Sequence, residues 1–413
     1  MKARWVWIGV GMLVVGTASG AAQELPEVAV ERSQALCGTD PQLPVIMREV
    51  HRAIQEHRLH TTGTVQAVVS GTLNADVGDV AVLENRDDLV IRVLFVGGGP
   101  PREGFVTDTT AIAQRFYTTH SDLYDTIVIV VASTFPADVE PESGFAFARL
   151  VKNGVQGIGL PLFDDSANLG LSTTKLKTII NMNDLGEYAG PTADLVGAPH
   201  HVTGTEVLGQ EVGHRWAAFV NTTVGDILGR GDAHWSFFFD TDDNPTTLPG
   251  ASVMEGNGWI NNGDGTLTTS RPFDSFSQLD EYLMGLRFST DVTDPMFLVK
   301  QAKKGGGGGG GKKPRNFEVG ESDLPAEGVT VTGSPIVVTM QDVINANGPR
   351  NPATDPIVSN LAFILVVPDN GSASTVAASD ADLAEVNEFR TTFASFYATH
   401  TDGWGAVTTT LSP

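Results

Sequence analysis

Apolar positions along this chain fall into continuous runs and into spaced sets, and the two predict different elements. "YDTIVIVVAST" (124–134) and "NLAFILVVPD" (360–369) are unbroken and β-branched, as expected of strands covered on both faces. "DLVIRVLFVGGG" (88–99), "FARLVKNGVQGIGLPLF" (147–163) and "LKTIINMNDL" (176–185) supply further strand candidates, as do "TVQAVVSGTL" (64–73) and "DVGDVAVLEN" (76–85). "GVTVTGSPIVVTMQDVI" (328–344) reads as strand throughout. Helical spacing shows in Val45, Val50 and Ile54, in "DTTAIAQRFYTTH" (108–120), and through Leu279, Tyr282 and Leu283. It returns in Leu383, Val386, Phe389, Phe393 and Phe396 near the C-terminus. No internal repeat interrupts this order.

Turn-forming residues divide the chain. Residues 240–270 are crowded with Gly, Asn, Asp and Pro, and "NNGDGT" within them predicts a hairpin turn. Seven consecutive glycines between lysine pairs, in "KKGGGGGGGKKP", predict a flexible surface loop, because glycine loses the most backbone entropy on ordering. They lack the spacing of a phosphate-binding loop. The expected division is a leader at 1–22, an N-terminal α/β module at 23–87, a main domain at 88–300, the Gly/Lys loop at 301–316, and a C-terminal β/α region at 317–413 packed on the main domain.

The leader has Lys2 and Arg4, then an apolar run from Trp5 to Val15, then small residues to Ala22. The run is shorter than the roughly 20 residues that span a bilayer, so it reads as a cleaved export signal and the protein as secreted or periplasmic. A formal net charge of −23 argues against nucleic acid and anionic membrane surfaces as partners. The single cysteine, Cys37, rules out an internal disulfide and any cysteine-based zinc site.

The stretch with the most chemical content is "GTEVLGQEVGHRWAAF" (204–219). Wound at 100° per residue, it sets Leu208, Val212 and Phe219 on one side with Arg215 beside them. Gln210, His214 and Ala217 fall on the other, with Glu211 at their flank. Neither face carries ordinary solvated residues, and Gly209 and Gly213 allow close approach, so the helix should be buried. Glu211 could pair with Arg215, four residues on, or with His214.

"QEVGHRW", preceded by an α/β segment and followed by loops and "LDEYLMGL", resembles the zincin metallopeptidases of the His-Glu-x-x-His class, with Gln210 in the place of the first histidine. The compact motif covers residues 210–214, and the compatible order of elements covers roughly 88–290. In such a motif two ligands at i and i+4 grip one Zn²⁺, and the glutamate after the first reaches the attacking water. The resemblance implies an α+β fold with a mixed β-sheet upper lobe, an active-site helix and a loop-rich, helical lower lobe. It also implies hydrolysis of a peptide or protein substrate by a zinc-activated water, with Gln210 and His214 as metal ligands and Glu211 as general base.

A third ligand must come from elsewhere. "QLDEYLMGL" loosely resembles the segment from which aspzincins supply an aspartate, which nominates Asp280, with Tyr282 as oxyanion stabiliser and Met284 beneath the site. His234, in "GDAHWSFFF", is the rival, with Glu281 behind it, and the adjacent His200 and His201 could with a bend reach the metal in place of Gln210. An amide oxygen binds zinc far more weakly than imidazole, so Gln210 sets the alternatives: a zinc peptidase working through an unusual ligand, or a non-catalytic protein of the same fold that binds a peptide, glycan or protein partner. The oxygen-rich 240–243 and "NNGDG" segments do not match a calcium-binding loop.

Overall fold

A computed structural model of the chain describes residues 27–29, 74–86, 88–96, 102–133, 135, 146–195, 201–241, 252–270, 275–301, 319–371 and 376–412. The leader, Cys37, the 45–54 helix, the 64–73 strand, His200 and the polyglycine run lie outside the described residues. A small sheet joins β1 (Glu27–Ala29), parallel to β4 (Val90–Val96), and β5 (Arg102–Thr107), antiparallel to β4.

The main sheet has seven strands. β2 (Asn74–Val77) and β3 (Val80–Glu84) form a hairpin at one edge, and β7 (Phe147–Leu150) is the other edge. Between them β3, β16 (Val358–Val367), β6 (Thr126–Val131) and β10 (Thr178–Asp184) run parallel in that spatial order. β7 is antiparallel to β10, and β17 (Ala406–Thr408) pairs with the start of β16. The two longest β-branched runs lie side by side at the centre: Thr126 to Val131 are all buried, as are Leu361 to Val367. Such strands must be covered on both faces, which accounts for their lack of polar alternation. One sheet thus draws strands from before residue 88 and from after residue 317, across both expected boundaries.

The helices are α1 (Thr109–Phe116), α2 (Gly204–Gly213), α3 (Gln278–Met284), α4 (Met340–Asn347) and α5 (Asp380–His400). α2 packs on β7, β10 and α5, while α5 also rests on β3 and β16. The 328–344 run is strand only to Val338, because the Thr339 side chain caps α4 and begins a helix. A second sheet, β11 (Phe239–Asp240), β14 (Met296–Gln301), β15 (Thr330–Val338), β13 (Thr266–Thr269) and β12 (Trp259–Asn261), is antiparallel throughout. Its own core contains Phe237, Trp259, Leu267 and Phe297. The β12–β13 hairpin turns through Gly263 and Gly265, both at positive φ, where the sequence places its turn. A two-stranded ribbon, β8 (Lys152–Asn153) with β9 (Phe163–Asp164), completes the mixed α+β architecture. Among the described residues no helix is long and apolar enough to cross a membrane.

Candidate functional site

α2 begins at a capping box, in which Thr203 Oγ1 accepts the Glu206 amide at 3.3 Å and Glu206 Oε2 accepts the Thr203 amide at 2.7 Å. It ends at Gly213, six residues short of the span that the apolar pattern suggested, and His214 is its C-cap. A Cβ at Gly213 would collide with the Met254 thioether and stand 3.1 Å from the Phe276 ring, so glycine here lets the Met254 side chain lie against the helix. That contact brings Glu255 to the end of α2 from forty residues downstream.

The structure pairs His214 with His234. Their rings meet edge to face with centroids 4.8 Å apart, and both are fully buried. His214 Nδ1 donates to the Ala217 carbonyl at 3.1 Å, and His234 Nδ1 donates to the Arg230 carbonyl at 2.8 Å. A carbonyl can only accept, so each ring carries its proton on Nδ1 and its lone pair on Nε2. Burial, helped by the neighbouring histidine and by Arg230, holds His214 well below the ordinary imidazole range; burial and then Arg230 do the same to His234. Both are neutral at pH 7, the form that donates to a metal.

On the far side of His234 stand Glu255 and Arg230. His234 Nε2 accepts from Arg230 Nη2 at 2.9 Å and lies 3.7 Å from Glu255 Oε1. The same Arg230 Nη2 donates to Glu255 Oε1. Glu255 is 1% exposed and is held at a φ of 74°, a conformation that non-glycine residues rarely adopt. Neither Glu255 nor Arg230 stood out in the sequence. Glu255 sits in a loop-rich run of polar residues, where one carboxylate looks like any other.

Gln210 and Glu211 are buried on α2, at 1% and 0% exposure. Gln210 Nε2 has no hydrogen-bond partner among the described residues, an uncommon state for a buried amide. Burial chiefly, then Glu187 and Glu211, push the Tyr188 phenol well above its usual range. Arg215 does not turn to Glu211: its guanidinium lies 3.9 Å from Asp125 and stacks over Trp216 at 4.2 Å.

The remaining candidates are committed to architecture. Asp280 Oδ1 accepts from Trp235 Nε1 at 2.9 Å, while Oδ2 accepts from Ser252 Oγ at 2.5 Å, the Ser277 amide at 2.8 Å and Ser277 Oγ at 2.6 Å. This carboxylate anchors the start of α3 to two loops, and it touches the residue after His234 rather than His234 itself. Tyr282 uses its phenol oxygen to accept the Arg350 amide at 2.9 Å. Glu281 pairs with Arg287, and Arg350 Nη2 donates to the Met284 carbonyl. His201 is exposed and bonds Asp194 at 2.8 Å. Asp240 is buried and accepts the Trp259 amide at 2.7 Å.

Among the described residues, no three His, Cys, Asp or Glu side chains are gathered round one point as they stand. The donor chemistry nevertheless matches zinc in part: two neutral imidazoles in the metal-binding tautomer, each with its second nitrogen held by a carbonyl, with an unpartnered buried amide at Gln210 on the helix that His214 caps. No protein-family model matches this chain, and no curated protein or solved structure matches it either.

Proposed function

We propose that this chain is an exported, zincin-like metallopeptidase, in which α2 is the active-site helix and the main sheet is the upper lobe above it. The observation that carries the reading is the buried pair of neutral, carbonyl-anchored histidines, His214 and His234, at the end of a helix that also presents Gln210 and Glu211. His214 and His234 would hold the metal through Nε2. Zinc bound there would polarise a peptide carbonyl and make a water molecule acidic enough to attack it near neutral pH. Glu211 would take the proton of the attacking water and pass it to the departing amine. The proposed substrate is a peptide or unfolded protein in the extracytoplasmic space.

One observation favours a second reading. The Arg230 guanidinium already supplies a positive charge to His234 and Glu255, which would suit a metal-free relative whose cleft only binds a partner. Metal analysis after zinc dialysis separates the two. The peptidase reading expects one zinc per chain and hydrolysis of denatured casein, with Glu211→Gln slowing hydrolysis by about 10²-fold or more while zinc is retained. If neither the parent chain nor Gln210→His takes up zinc, the peptidase reading is abandoned.

A further inference from the structure

We infer that the amino edge of the main sheet carries a binding site for a carboxylate anion, held by Arg215 and Lys177. The site needs no metal at His214 or His234. Three central strands begin at this edge, β6 at Thr126, β10 at Thr178 and β16 at Val358. Asp125 ties their starts together. Its carbonyl accepts the Lys177 amide at 2.8 Å and the Thr178 amide at 3.2 Å, and its Oδ2 accepts the Asn360 amide at 3.1 Å. Arg215 reaches the same place from the stretch after α2, with Nη1 3.9 Å from Asp125 Oδ1.

Both cations arrive there with hydrogen-bonding capacity unused. A separation of 3.9 Å is too long for a hydrogen bond, so Asp125 attracts the guanidinium without accepting from it. Arg215 Nη1 is enclosed and has no hydrogen-bond partner among the described residues, an uncommon state for a buried donor. The guanidinium is held over the Trp216 ring at 4.2 Å, and the Trp216 indole donates to Asp355 at 3.0 Å. Lys177 is half-buried, and among the described residues its ammonium has no ion-pair partner. Burial, then Arg215 and Lys152, pull it below the ordinary lysine range, as expected where positive charges crowd. Lys152 is answered by Asp164 at 2.5 Å, and Arg350 by Asp355 at 2.7 Å. Arg215 and Lys177 therefore face Asp125 alone, which leaves an excess of positive charge in a chain whose net charge is −23. A single negative charge balances that excess, and a planar carboxylate fits the guanidinium fork with two parallel hydrogen bonds. The Arg215 and Asp125 side chains are 12% and 23% exposed, so a small anion can reach them from solvent.

The test is thermal unfolding of the purified chain in rising acetate, with inorganic phosphate as a second arm and sodium chloride holding the ionic strength constant. The expected result is a saturable rise in Tm with acetate, from which a Kd follows because the ligand stabilises the folded state it binds. Phosphate should bind more weakly, since its second charge meets no cation. Arg215→Gln and Lys177→Gln should each raise the acetate Kd by about tenfold or more, as expected for losing hydrogen bonds to a charged group. Arg215→Lys keeps the charge but not the fork and should fall between them and the parent. Lys300→Gln, exposed on β14, should leave the Kd unchanged. No saturable rise with acetate overturns the site. A response that survives unchanged in both Arg215→Gln and Lys177→Gln places the anion elsewhere and overturns it too. Tighter binding of phosphate than of acetate overturns the carboxylate assignment. Should Arg215→Gln fail to fold, Lys177→Gln and Arg215→Lys still decide.

Discussion

Asp280→Ala tests whether this carboxylate anchors the structure or serves the metal, and the hydrogen bonds fix the size of the effect. Four donors converge on Asp280: the Trp235 indole N–H, the Ser277 amide, and the hydroxyls of Ser252 and Ser277. The hydroxyls can rotate to other acceptors. The indole and the amide cannot, and Asp280 and Trp235 are 0% and 1% exposed. Each stranded donor costs about 1–3 kcal/mol, so the pair comes to about 4 kcal/mol, a large part of the 5–15 kcal/mol that stabilises an ordinary domain. Asp280→Asn keeps one acceptor but turns an NH₂ toward donors, and should cost about 2 kcal/mol. Urea unfolding followed by circular dichroism, with Trp fluorescence as a second probe, measures both. Metal content of folded Asp280→Asn should equal that of the parent. A loss under about 1 kcal/mol for Asp280→Ala, or a loss of bound metal in a folded Asp280→Asn, would refute the anchoring role.

Two further outcomes follow from neighbouring residues. Burial raises the Glu281 carboxyl from 4.5 to about 7, against the opposing pull of Arg287. The folded state therefore holds more protons than the unfolded state between pH 4.5 and 7. Stability is highest below that window and falls, by about 3 kcal/mol in all, as pH rises through it. Unfolding at a series of pH values should show this slope in the parent and lose it in Glu281→Gln; parallel profiles would remove the basis for the shift. Tyr282→Phe strands the buried Arg350 amide and should lower stability by about 1–2 kcal/mol while leaving kcat unchanged. A large fall in kcat at unchanged stability would instead place the phenol at the reacting carbonyl.

Where a segment's apolar pattern was decided by local rules, it could be read from the sequence. The β-branched runs of β6 and β16 and the spaced phenylalanines of α5 declare a two-sided buried strand and an amphipathic helix. Their placement was not legible. β16 enters the sheet between β3 and β6, strands from the first third of the chain, and nothing in its composition names those neighbours. The end of α2 was overestimated because Ala217, Ala218 and Phe219 continue an apolar trend, yet they are buried in irregular backbone beyond the helix. In the site, Gln210, Glu211 and His214 were visible because i, i+4 spacing on one helix is a local property. His234 could be nominated only by residue type. Asp280 looked like a ligand because a carboxylate three residues into a helix and a metal-binding carboxylate share the same letters; its capping bond to Ser277 separates them. Glu255 and Arg230 gave no signal, since their value comes from Gly213 allowing Met254 against the helix end.

The charge balance of this centre explains why it holds the Arg230 guanidinium. The buried Glu255 carboxylate stands beside His234, one of two imidazoles that burial keeps neutral. Burying a carboxylate away from water is strongly unfavourable unless positive charge or hydrogen bonds compensate it. The histidines cannot provide that charge, because protonating them in the same volume meets the same penalty and the repulsion of Arg230. Arg230 therefore balances the buried Glu255 carboxylate in this centre.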